Sequence, residues 1–85
     1  MSVEVLRQLI SATERSRGGL RVRLDPDALE RACAEQGLSF AELATAASLS
    51  TPTVSLAARG GFVTPRSAFK IADALSRGLR RLDNG

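Results

Sequence analysis

Residues 39–60 predict two short helices joined by a tight turn, and no other stretch of the sequence constrains the fold as strongly. Ser39 is a residue type that caps helix N-termini, and Glu42 three positions later completes the pattern of a capping box. Ser50 is a second N-cap, so the second helix begins shortly after the first one ends. Gly60 ends the second helix, because glycine adopts the left-handed conformation without strain.

Small apolar residues let these two helices approach each other closely. In the first helix Leu43 and Ala47 lie one turn apart, with Ala44 beside them on the same face. In the second helix the inward positions are predicted to be Val54, Leu56 and Ala57. A loop follows, from which Phe62 and Val63 are expected to fold back onto the core. Such a helix pair occurs in DNA-binding helix-turn-helix domains and in ordinary helical hairpins, so the spacing leaves both interpretations open.

The sequence before residue 25 supports several assignments. Residues 3–16 carry apolar side chains at helical spacing and predict a helix, and a hairpin with the next strand is less favoured because the period is nearer that of a helix. Leu20–Leu24 alternates apolar residues with Arg21 and Arg23, which predicts a short strand. Its candidate partners are the same strand of a second subunit, or the helices beneath it if it is an extended linker. The arginines of residues 15–23 are a further candidate for contact with a DNA backbone.

Two more helices are predicted from their capping residues. Asp25 is an N-cap, Pro26 follows at the first helical position, and Gly37 stops the helix. Thr64 caps another helix, whose predicted apolar stripe consists of Ala68, Phe69, Ile71, Ala72 and Leu75. Residues 76–82 are predicted to continue as a short basic helix.

The composition fits one small helical domain with an anionic partner. The 85 residues can bury one core, and the apolar set is mostly leucine, alanine and valine, with three phenylalanines and no tryptophan or tyrosine. Twelve basic and nine acidic residues give a net charge of +3, which favours an anionic partner, most simply nucleic acid.

Several other chemistries find no support in the sequence. The single cysteine, Cys33, excludes a disulfide within the chain, and the lack of histidine also excludes a typical four-ligand zinc site. Cys33 lies in a helical pattern and is predicted to be a buried, unreactive thiol. Without histidine for general-base work, and without the Gly-Lys-Ser/Thr of a phosphate loop, the chain is not expected to be an enzyme. We expect no cofactor, metal, small-molecule ligand or membrane segment, and a cytoplasmic location.

The run Leu38–Gly60 resembles the helix-turn-helix of the lambda-repressor and Cro family. That family's pattern is roughly Leu-Ser-Gln-x-x-Leu-Ala-x-x-Ala-Gly-Val-Ser-x-x-Thr-Ile-Ser-x-x-Glu-x-Gly. The matching positions are Leu38, Ser39, Leu43, Ala44, Ala47, Ser50, Thr53, Ser55 and Gly60, with conservative replacements at Leu49 and Val54. Residues 64–75 look like the helix that follows in this family, so the resemblance covers roughly residues 24–76.

The resemblance implies an all-α fold. The expected architecture is a compact lambda-repressor-like domain of four to five helices over residues 20–85, with the helix-turn-helix proper at 39–60. Residues 1–19 would form an extra N-terminal helical extension, and a short strand is possible beside it.

The function implied is sequence-specific binding of double-stranded DNA by a small bacterial or phage transcriptional regulator of the repressor or Cro type. The helix that begins near Thr51 would enter the major groove. The base-contacting candidates are Thr51, Pro52, Thr53 and Ser55. The DNA-backbone candidates are Ser39, Phe40, Arg59, Thr64, Arg66 and Lys70. A domain of this size is only marginally stable alone, so a homodimer is expected.

The chain departs from the family where side chains usually contact DNA. The second helix has no arginine, glutamine or asparagine before Arg59, and those side chains form the bidentate bonds that discriminate bases. Phe40 stands where the family often has a glutamine that clamps the DNA backbone. We therefore predict modest base discrimination, much affinity from phosphates and a steep salt dependence.

An alternative function and two dimer surfaces remain open. The same fold can serve as a protein-interaction module, such as an antitoxin-like partner or a regulator subunit, through the surface formed by Thr51, Pro52, Val54 and Leu56. For the dimer, one candidate surface is the N-terminal helix with the strand Leu20–Leu24, and the other is a C-terminal segment with Leu79 and Leu82. The N-terminal surface is preferred because it is longer and has no role within the resembling core.

Overall fold

The computed structural model describes the backbone of residues 2–84 and the side chains of residues 4–77. Within these residues the elements are, in order, α1 (Ser2–Leu9), β1 (Ile10–Ser16), β2 (Gly19–Leu24), α2 (Pro26–Gln36), α3 (Phe40–Ala47), α4 (Thr51–Ala58), β3 (Phe62–Val63) and α5 (Pro65–Asn84). The three strands form one antiparallel sheet in the order β1-β2-β3.

The expectation of an all-α domain is wrong, because this sheet makes the fold α+β. Residues 3–16 do not form one helix: α1 ends at Leu9, and β1 follows at once. β1 and β2 form a hairpin that runs from the pair Ser16 and Gly19 at the turn to the pair Ile10 and Leu24 at its base. The hairpin, which was the less favoured alternative, is therefore the correct one.

β1 is a strand because of its partner rather than because of its own sequence. Its apolar residues are only Ile10 and Ala12, and most of its side chains are exposed, so it lacks the alternation that predicts a half-buried strand. Pairing with β2 satisfies its backbone groups, and such non-local pairing overrides weak local preference. The register shifts between Ile10 and Ala12, which shows that the pairing absorbs an irregularity at the base of the hairpin.

The predicted strand at residues 20–24 is present as β2, and its partner is the N-terminal segment, as the less favoured hairpin alternative had it, rather than a second subunit. It pairs with β1 on one edge and with β3 on the other, where Val22 lies opposite Val63. Val22 and Leu24 are buried, whereas Leu20 on the same face is 46% exposed because it lies beyond the core. The sheet therefore contributes to the core at the end that contains Val22 and Leu24, and it extends beyond the core at the end that contains Leu20.

The capping predictions for the other helices are confirmed. Asp25 Oδ1 accepts from the N–H of Asp27 over 3.0 Å at the start of α2, and Gly37 ends α2 with a left-handed φ of 66°. At the start of α5, the Thr64 hydroxyl oxygen accepts from the N–H of Ser67 over 3.1 Å. These helix ends follow from local side-chain chemistry, which is why the sequence predicts them well.

α5 is one long helix against which α1, α2 and α3 pack. It includes residues 76–82, which were predicted to continue the chain as a short basic helix, so that prediction is confirmed for the backbone. Its buried side chains are Ala68, Ile71, Ala72, Ala74 and Leu75. Phe69 is 45% exposed, so its predicted place in the apolar stripe is wrong: the buried positions 68, 71, 72 and 75 define one face, and Phe69 falls beside it.

Candidate nucleic-acid interface

Local backbone hydrogen bonds fix the turn between α3 and α4. Ser48 is left-handed with a φ of 58°, and its N–H donates to the carbonyl of Thr45 over 3.2 Å. The N–H of Leu49 donates to the carbonyl of Ala44 over 2.9 Å, and the Leu49 side chain packs against the core. Only Ser48, Leu49 and Ser50 separate the two helices, and these bonds define the path of the chain between them.

The predicted capping box at the start of α3 is present. The N–H of Ser39 donates to Glu42 Oε1 over 2.9 Å, and the N–H of Glu42 donates to the Ser39 hydroxyl over 3.1 Å. Two hydrogen bonds with Ser39 lower the pKa of Glu42 below its usual value. The bond from the Ser39 backbone N–H has the larger effect, and the bond with the Ser39 side chain has the smaller one. The start of α3 therefore carries an exposed, hydrogen-bonded carboxylate.

Glu42 is expected to make the stability of the fold depend on pH in the acidic range. Because its pKa is lowered in the folded state, ionised Glu42 stabilises the fold above its unfolded-state pKa, and this contribution disappears as the pH falls through the folded-state pKa. Denaturant unfolding of the wild type and of Glu42→Gln, from neutral pH to about pH 3, should show their stability difference shrinking as the pH falls. A difference that stays constant over this range would contradict the prediction.

α4 buries one face and exposes the other. Val54 and Ala57 are fully buried in the core. The predicted base-contacting residues lie outside that buried face, with Thr51 and Pro52 exposed and Thr53 and Ser55 half-buried. The hydroxyl oxygens of Ser50 and Thr53 lie 2.8 Å apart in a hydrogen bond, so the Thr53 hydroxyl is partly engaged in the cap of α4. The exposed side of α4 thus carries hydroxyl groups and methyl groups.

Leu56 lies on the outer face of α4, so the prediction that it faces inward is wrong. It is 40% exposed, and one helical turn separates it from the exposed Pro52. Its side chain covers Gly61, where a Cβ would collide with it. Helical spacing alone was a sufficient signal to find this residue, because the buried Val54 and Ala57 leave Leu56 on the opposite side.

The predicted backbone-contacting residues fall into two groups. Ser39, Arg59, Thr64 and Arg66 are exposed, whereas Phe40 and Lys70 are half-buried. Phe40 packs against the core, which gives a structural reason for an apolar side chain at the position where the family often has glutamine. Arg59 directly follows α4 and Arg66 lies in the first turn of α5, so the two exposed cations flank β3 in the chain.

Arg23 joins the sheet to the end of α4, a role that the sequence analysis missed. Its Nε donates to the carbonyl of Gly60 over 2.9 Å, and its Nη1 donates to the Ser11 hydroxyl over 3.1 Å. Gly60 has a φ of 85°, which favours glycine, and a Cβ there would lie 3.0 Å from Arg23 Nη2, so a larger residue would also press on the Arg23 side chain. The sequence offers no signal for this contact, because the partners lie 37 positions apart.

The described residues offer few other sites for chemistry. Cys33 is buried and not in a disulfide, and burial raises the pKa of its thiol, as expected for an unreactive thiol. Among the described side chains, no group of three or more histidine, cysteine, aspartate or glutamate residues is arranged to hold a metal ion. None of the described helices has both the length and the apolar character needed to cross a membrane.

Comparison with family models, curated proteins and solved structures finds no match to this chain. The resemblance to the lambda-repressor and Cro family therefore stays a prediction that rests on the residues of the α3–α4 pair and of α5.

Proposed function

We propose that this chain is a small DNA-binding transcriptional regulator whose α4 enters the major groove of double-stranded DNA. One observation carries the proposal: α4 follows α3 after a three-residue turn, buries Val54 and Ala57, and leaves its first turn exposed with Thr51 and Pro52. This arrangement suits a recognition helix, because N-terminal residues of such helices contact base edges. The N-terminal turn also carries the positive end of the helix dipole, which favours an anionic ligand.

In this proposal, phosphate contacts supply most of the affinity. Arg59 and Arg66 are exposed, and the N-terminus of α5 carries the positive end of its helix dipole. Thr51, Thr53 and Ser55 have short hydroxyl side chains, so base discrimination within one half-site is modest. The complex is therefore expected to weaken steeply with added salt.

A homodimer in the cytoplasm is part of the same proposal, and the fold leaves the edge of the sheet, rather than α1, as its N-terminal interface. α1 packs against α5, so the N-terminal helix has a role within the monomer and is less available for a partner. The outer edge of β1 pairs with no other strand in the described part of the chain and is the better N-terminal candidate. The alternative contact through Leu79 and Leu82 falls outside the residues whose side chains the structure describes.

A protein-interaction module is the second candidate, and the exposure of Leu56 favours it. Leu56 lies beside Pro52 on the outer face of α4, and an apolar side chain there suits a protein surface. The predicted interaction surface of Thr51, Pro52, Val54 and Leu56 is smaller than expected, because Val54 is fully buried. Two isolated exposed residues make a small apolar patch, so we place this candidate second.

Selection from a random duplex library at two salt concentrations tests the DNA proposal. We expect the wild type to retain a two-fold symmetric motif at low salt, with half-sites about one helical turn apart. Arg59→Ala and Arg66→Ala should each weaken retention and lower the salt slope by about one, whereas Arg31→Ala on the exposed side of α2 should not. Absence of retention at low salt would overturn the DNA proposal and favour the protein-interaction module.

A further inference from the structure

The hairpin extends beyond the core as an arm, which we define as residues 14–21. Every residue of this arm is exposed. The arm is paired across its two strands, with Glu14 opposite Arg21, Arg15 opposite Leu20 and Ser16 opposite Gly19. The sheet is anchored below it, where Val22 pairs with Val63 of β3. Gly19, at the tip end of β2, lies three residues from Val22, so the strands of the arm reach about 10 Å past this anchor.

The positive charge of the chain is concentrated at this hairpin. Residues 15–23 contain four arginines and no acidic residue, although the whole chain carries a net charge of only +3. The remaining residues hold eight basic and nine acidic side chains, so the chain without this segment is slightly negative. Residues 25–60, which include α3 and α4, hold five carboxylates and two arginines. An anionic polymer would therefore be attracted to the hairpin more than to the helices around α4.

The arm arginines have no ionic partner in the part of the chain that the structure describes. No ion pair there involves Arg15, Arg17 or Arg21, and the carboxylate of Glu14 opposite Arg21 does not form one. The end of the Arg21 side chain lies near the turn, since its Nη2 is 4.0 Å from where a Cβ of Gly18 would be. Free guanidinium groups suit phosphate, because their planar donors bind its oxygens in pairs.

The base of the arm is tied to α4 by the fourth arginine. Arg23 donates to the Gly60 carbonyl just after α4 and is therefore occupied within the fold. This bond, together with the pairing of Val22 and Val63, joins the arm to the segment that follows α4. A ligand held by the arm is thus held in a defined relation to α4, unlike one bound by a disordered basic tail.

We propose that the hairpin arm is a second phosphate-binding element, which contacts the backbone of the same DNA duplex through Arg15, Arg17 and Arg21. The inference rests on the proposed function and adds a site outside the α3–α4 pair. According to this inference, the arm arginines supply a larger share of the salt-dependent affinity than Arg59 and Arg66 near α4 do.

The test compares two double variants that remove the same charge. Arg15→Gln/Arg17→Gln alters the arm, and Arg7→Gln/Arg31→Gln alters exposed arginines on α1 and α2. Duplex affinity is measured by fluorescence anisotropy over a series of salt concentrations. The arm variant should lower the slope of log K against log salt by about 1.8, which is 0.9 for each lost phosphate contact, and the control should keep the wild-type slope.

Three further outcomes separate the possible failures. If the wild type binds duplex and the arm variant keeps its slope, or the control loses as much, the arm proposal is overturned while the proposed function stands. If the wild type binds no duplex, the proposed function itself fails. Arg15→Lys/Arg17→Lys keeps the charge and should keep the slope, and circular dichroism of each variant verifies that it is folded. A folded lysine variant with the slope of the glutamine variant would contradict a phosphate contact.

Discussion

Replacing Leu24 by alanine is expected to lower the free energy of unfolding by about 2–5 kcal/mol. The Leu24 side chain is fully buried at the base of the hairpin, where it contributes to the core together with the helices. The substitution removes buried apolar area and leaves a cavity that the surrounding side chains fill only in part. Because domains of this size have a total stability of about 5–10 kcal/mol, the loss should be visible as a large shift of the urea midpoint.

Leu20→Ala is the matched control for this experiment. Leu20 lies on the same face of the same strand, but it is 46% exposed on the arm. Its replacement should change the stability by no more than about 0.5 kcal/mol. Equal losses in the two variants would mean that β2 does not enter the core at Leu24, and the α+β fold described above would be wrong.

Replacing Arg23 by alanine is expected to destabilise the chain by about 1.5–3 kcal/mol. The change removes the charged donor to the Gly60 carbonyl and the bond to the Ser11 hydroxyl. The Gly60 carbonyl is part of the partly buried contact between the sheet and the end of α4 and loses its protein partner there. Urea unfolding measures the loss, and Arg23→Lys should recover only part of it, because one ammonium group does not reproduce the two directed bonds.

Arg21→Ala serves as the control for the stability measurement. Arg21 lies two residues earlier on the same side of β2 and is exposed, without an ion pair in the described residues. Its removal should leave the unfolding midpoint nearly unchanged, although the arm proposal expects it to weaken DNA binding. If Arg21→Ala and Arg23→Ala destabilise equally, the contact with Gly60 does not join the sheet to α4.

The sequence predicts the helical part of the fold where local chemistry decides the structure. The caps at Asp25, Ser39 and Thr64 depend on a side chain and a backbone N–H only two or three residues away. The sheet was missed because β1 has no local signal, and it becomes a strand only by pairing with β2. Phe62 and Val63 were expected in a loop for the same reason, since two residues form β3 only beside Val22.

The candidate site shows the same division between local and distant causes. The resemblance to the helix-turn-helix family predicts that Thr51 and Pro52 face outward, and both are exposed. Leu56 was predicted to face inward, although helical spacing from the buried Val54 places it on the outer face. The contact between Arg23 and Gly60 has no counterpart in the local sequence, because it exists only once the hairpin packs beside α4. The alternation along β2 predicts that the Arg23 side chain points away from the core face of the strand. It does not predict that this side chain donates to the Gly60 carbonyl.

The packing of α1 against α5 has a consequence for how the chain folds during synthesis. More than fifty residues separate the end of α1 from the start of α5, so this contact closes the longest loop in the domain. A ribosome makes α1 well before α5, and the apolar face of α1 has no partner from α5 during that interval. Elements with local partners, such as the β1–β2 hairpin and the α3–α4 pair, can form earlier. We therefore expect α1 to be among the last elements to dock, and its apolar face to be open to aggregation until α5 has been made.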